Sequence, residues 1–127
     1  MDKVAYWSEL AEYDIGVAEL MFTGGRWLYV GFMCHQVIEK MLKAYWSAKK
    51  PDDIPYTHNL LKLIQSTGLM HQLTEEQLEF VSELMPLNIE GRYPDYKRSV
   101  AIMLNREYSE ELIAKTKELY LWIKNKL

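Results

Sequence analysis

A chain of 127 residues with 49% apolar and 26% charged residues is one domain, 1–127, with enough material for a single core without metal or disulfide staples. Its net charge of −3 excludes a protein that coats nucleic acid by bulk electrostatics, and its single cysteine, Cys34, excludes an intrachain disulfide. No apolar run approaches a membrane span and no signal segment precedes the first helix, so a soluble, cytoplasmic protein with a reduced, buried thiol is expected.

The first helix is predicted from about Lys3 to Phe22. It stops at Thr23-Gly24-Gly25, because consecutive glycines supply the left-handed turn that commonly ends a helix. Its core stripe reads Lys3 stem, Tyr6, Leu10, Val17 and Met21, with Asp14 in the middle. A carboxylate in that position needs a partner, expected on the second helix or near Arg92. The second helix, about Trp27 to Ala48, carries Val30, Cys34, Val37, Met41, Ala44 and Ala48 at alternating four- and three-residue steps. That is a bundle seam, and the short Gly-Gly link makes the pair antiparallel.

Lys49 to Pro55 reads as a loop, since two prolines and two acids exclude a helix. Thr57 then looks like the N-cap of a short helix over about His58 to Ser66, closed by Gly68. Thr74-Glu75-Glu76-Gln77 is a capping box that opens a fourth helix to about Met85. A connector follows over Leu87 to Arg98, with some helical turn around Ser99 to Leu104. Ser109 caps the last helix, which turns Leu112, the Lys115 stem, Leu119, Trp122 and Ile123 inward. The sum is an all-α chain of five helices: an antiparallel up-and-down four-helix bundle with an additional short helix.

On the second helix Gln36, Glu39, Lys40 and Lys43 share one strip of surface. Two lysines and an amide there can hold an anion, and the plainer reading is a solvated outer face. Charge is unevenly spread: the first helix is acidic, while 26–50 and 92–106 are basic. A basic groove for phosphate or a set of surface ion pairs both account for this. Arg92 stands in Glu-Gly-Arg-Tyr-Pro-Asp-Tyr, where Pro94 stiffens the backbone and the rings of Tyr93 and Tyr96 are expected to anchor it. A guanidinium so held binds phosphate in fork geometry, or pairs with Asp14 or Glu39. His35 lies one turn before Glu39, as a base oriented by it or as a helix-edge histidine. His58 reads as a capping or turn residue, and His71 as surface. Three histidines so scattered lack metal-ligand spacing, so no metal and no cofactor are expected.

The segments MCHQVIEKMLKAYW (33–46), PYTHNLLKL (55–63) and EGRYPDY (90–96), in this order after AEYDIGVAELMFTGG, resemble the HEPN domain. The resemblance implies a helical bundle that dimerises through a helical face. It also implies either a metal-independent ribonuclease or a module encoded beside a minimal nucleotidyltransferase. Family ribonucleases carry an R-x4–6-H pair. Here the positions that should hold the histidine after Arg92 are Lys97, Arg98 and Ser99, and lysine is a poor base at neutral pH.

The expected function is therefore a non-catalytic homodimer that binds a nucleotide such as ATP, or another phosphorylated ligand. Lys40, Lys43, Arg92 and Gln36 would hold the ligand, supported by Asp14, His35, Glu39, Tyr93, Tyr96 and Lys97. The protein would partner a minimal nucleotidyltransferase in a toxin–antitoxin-like pair. The alternatives are an RNase toxin with a divergent set such as His35, Arg92 and Lys97, acting on RNA, or a non-catalytic scaffold.

Overall fold

Asp2 starts the first helix, α1 (Lys3–Thr23), by accepting the Ala5 N–H at 3.1 Å, in a computed structural model that describes residues 2–127. At its other end the Gly24 N–H bonds back to Leu20, and Gly25 takes φ +69°, the left-handed conformation a Cβ would strain. The chain reverses at once into α2 (Trp27–Lys49). Next come α3 (Leu60–Ser66), a 3-10 turn over Leu69–His71 and α4 (Glu75–Leu84). A second 3-10 turn over Met85–Leu87, α5 (Pro94–Met103) and α6 (Arg106–Lys124) complete the chain. The architecture is an all-helical bundle, as the sequence implies.

Three helix starts differ from expectation. Pro94 opens α5 rather than stiffening a loop: the ring presets helical φ, its missing N–H is not needed in a first turn, and Asp95 follows at the positive end of the helix. Six α-helices thus stand among the described residues where five were read. The last helix starts not at Ser109 but at Asn105, whose side chain accepts the Tyr108 N–H at 2.8 Å; Ser109 is fully buried. Likewise Asn59, not Thr57, caps α3, while Thr57 Oγ1 holds the Asn59 N–H in the preceding turn. The Thr74–Gln77 capping box forms in both directions.

The face of α1 that packs also differs. Ala11, Asp14 and Ala18 are buried, whereas Tyr6 points outward. Of the expected stripe Asp14 is buried and Leu10, Val17 and Met21 are half-buried, while the small side chains of Ala11 and Ala18 let α1 lie close against α2. α2 is the central helix: α1, α3, α4, α5 and α6 all pack on it, and from Cys34 to Ser47 every residue except Lys40 is buried. Ile38, Met41 and Leu42 are among its most deeply buried side chains, and each contributes about 2 kcal/mol by leaving water. That gain offsets the cost of burying polar groups on the same helix.

Candidate functional site

The strip of Gln36, Glu39, Lys40 and Lys43 is not a solvated face. Gln36, Glu39 and Lys43 are buried, because α1 lies along it and the segment after α2 folds back over it. Lys3 Nζ donates to the Pro51 carbonyl at 2.6 Å, which ties that segment to the start of α1.

Glu39 is the hub. One turn along α2, Lys43 Nζ donates to Glu39 Oε2 at 3.1 Å and lies 5.2 Å from the centre of the Trp7 ring. The chain then returns 19 residues later to place His58 Nδ1 3.0 Å from both Glu39 oxygens. The His58 ring is 55% exposed and the carboxylate only 4%, so the imidazole is held at the mouth of a buried acid with its other edge open to solvent. Behind it His35 is 1% exposed, with Nδ1 3.7 Å from Glu39 Oε1, too long for a hydrogen bond. Burial pushes the His35 imidazole down to about 4; the Glu39 charge opposes this, the His58 side chain lowers it while a hydrogen bond to the His58 backbone raises it, and Lys43 lowers it further. His35 is thus a neutral core group at physiological pH.

Asp14 finds its partner on the second helix: Lys40 Nζ donates to its Oδ2 across the α1–α2 seam. The Gln36 amide nitrogen has no hydrogen-bond partner among the described residues.

Arg92 belongs to neither cluster. It stands just before α5, exposed, with its guanidinium 4.9 Å from the centre of the Tyr96 ring, and it makes no ion pair with Asp14 or Glu39. Tyr96 anchors the segment through its hydroxyl, which donates to the Pro86 carbonyl at 2.6 Å. Tyr93 does not anchor it, being 85% exposed. Lys97 is half-buried in the first turn of α5, its N–H bonded to the Tyr93 carbonyl. No hydrogen bond or ion pair joins Arg92 to Lys40 or Lys43 among the described residues.

A family model described as the HEPN domain matches residues 4–126, nearly the whole chain. The chain belongs to the HEPN domain family. No curated protein matches it. The crystal structure of TT1696 from Thermus thermophilus is similar to this HEPN chain over 100% of both, with a TM-score of 0.83 at 22% identity, a likeness of fold alone. Among the described residues no helix is long and apolar enough to cross a membrane, and no group of histidine, cysteine and acidic residues is fit to hold a metal.

The residue that sequence reading missed is His58. A loop histidine carries no periodicity, and its contact with Glu39 depends on a chain reversal. The sequence signal pointing to it was its place in PYTHNLLKL (55–63), one of the segments that carry the family resemblance.

Proposed function

We propose that this HEPN protein is a homodimeric binding module for a nucleotide or another phosphorylated ligand, partner to a minimal nucleotidyltransferase in a toxin–antitoxin-like cytoplasmic pair. The observation that carries the reading is Arg92: exposed, without a carboxylate partner among the described residues, and kept in place by stacking on an anchored tyrosine. A guanidinium held this way loses little freedom on binding phosphate. The exposed ring of Tyr93 beside it offers a face on which a base stacks. Lys40 and Lys43 already neutralise Asp14 and Glu39, so Arg92 carries the first share of the affinity.

Dimerisation is supported by an outward apolar row on α1, where Tyr6, Tyr13 and Leu20 recur at every seventh position and are 45–72% exposed. Calorimetric titration with ATP, and with inorganic phosphate for comparison, tests the site. Saturable heat lost in Arg92→Ala and weakened in Tyr93→Ala is expected; no heat, or unchanged binding in Arg92→Ala, refutes it. Light scattering tests the dimer, and co-purification with the nucleotidyltransferase tests the partnership.

A second reading rests on the His58–Glu39 pair, an imidazole oriented by a buried carboxylate in the manner of a general base. It makes the protein a metal-independent ribonuclease in which His58 takes the place first read for His35, since His35 is sealed in the core. RNA cleavage in EDTA, lost in His58→Ala, decides between the two.

A further inference from the structure

Residues of α4 and α6 line an open groove of about 920 Å³. Each wall is built from one helical ridge. Glu76, Glu79, Phe80 and Glu83 stand at i, i+3, i+4 and i+7 on a single face of α4, as do Lys115, Glu118, Leu119 and Trp122 on α6. The floor is apolar: Phe80 and Leu119 are buried and Trp122 is half-buried.

The rim is acidic and unneutralised. Glu76, Glu79 and Glu118 make no ion pair among the described residues, and Glu83 takes only the Tyr108 hydroxyl, at 2.8 Å. Among the described residues that line the groove, Lys115 is the one cation; it is held by Glu111 at 2.9 Å and stands 6.0 Å from the centre of the Phe80 ring. An ammonium group over an aromatic ring beside a carboxylate is the arrangement an incoming lysine would repeat along the rest of the trough.

We propose that the α4–α6 groove is the docking site for a basic amphipathic helix of a partner polypeptide. Two ridges lining a groove with an apolar floor form the trough into which another helix packs ridge into groove. Carboxylates spaced a turn apart along α4 match lysines or arginines spaced a turn apart along the incoming helix, and its leucines cover Phe80, Leu119 and Trp122. Like charges on one rim repel one another until a cationic face meets them, so the groove selects by sign as well as shape. A polyamine satisfies the rim but leaves the floor wet.

The test is a titration of the isotope-labelled full chain, followed by NMR, with a synthetic helix of about 15 residues carrying lysine on one face and leucine on its border. Saturable shifts at the Trp122 indole N–H and at α4 and α6 amides are expected. The triple variant Glu76→Gln, Glu79→Gln, Glu118→Gln should weaken binding by about tenfold or more. The control triple Glu9→Gln, Glu12→Gln, Asp52→Asn, which removes equal charge at exposed positions elsewhere, should change it by less than about twofold. Shifts scattered over other faces, equal weakening in both triples, or spermine binding in the groove as tightly as the helix would each overturn the proposal.

Discussion

His58 and Glu39 meet at 3.0 Å between a half-open imidazole and an almost wholly buried carboxylate. The contact closes the loop after α2 onto the central helix and completes the set of donors around an acid that also holds Lys43. Local stability and any chemistry at this end of the bundle therefore depend on one side chain.

Glu39→Ala leaves the Lys43 ammonium buried without a partner, and is expected to cost about 3 kcal/mol of unfolding free energy. Glu39→Ala combined with Lys43→Met, which removes both charges, should recover most of that loss. Urea denaturation of the two variants checks the contrast.

Asp14 and Lys40 link α1 to α2 and should be coupled. Removal of either alone strands the other in a seam with little water, so a double-mutant cycle of Asp14→Ala and Lys40→Ala should give a coupling energy of about 2 kcal/mol. Coupling indistinguishable from zero would make the pair a surface ornament.

Stability should fall between pH 6.5 and about 4 through His35. Its ordinary value is that of an unfolded imidazole, which takes up a proton as pH drops below 6.5, while the buried ring in the folded chain stays neutral until about 4. The unfolded state therefore binds more protons across this window. The contribution is fully present above 6.5, is lost as pH falls, and levels off below about 4, for a total of about 3 kcal/mol. The pH dependence of unfolding in His35→Gln should lose this component.

Cys34 should be inert in the folded protein. Burial pushes its thiol up to about 11, with the Thr116 hydroxyl opposing slightly, so almost no thiolate exists at pH 8. A colorimetric thiol reagent should react with it only after denaturant is added; fast labelling of the native chain would show that this region opens readily.

Much of the fold was legible in local signals. The Gly24-Gly25 stop and the Thr74–Gln77 capping box rest on interactions within one or two turns, so the residues that make them are neighbours in the chain; the α2 seam is buried from Val30 to Ala44, but its expected last member, Ala48, is exposed. Where two local signals compete, the outcome was less legible. Pro94 suits a stiff loop and a first helical turn equally; in the structure it opens α5, which packs on α2 with Val100 buried. The choice of the Ala11–Asp14–Ala18 face over the Tyr6 face of α1 depended on how closely α2 approaches.

For the candidate site, the sequence by itself determined which charged groups α2 presents in a row, and that Asp14 needed a partner, because helical periodicity fixes which side chains share a face. Only the tertiary structure decided that the row is buried, that Lys40 answers Asp14, that His58 rather than His35 is the open imidazole on Glu39, and that Arg92 stacks on Tyr96 apart from both lysines. Those pairings join residues separated by loops whose course is set by the packing of the whole core, and no spacing along the chain encodes that course.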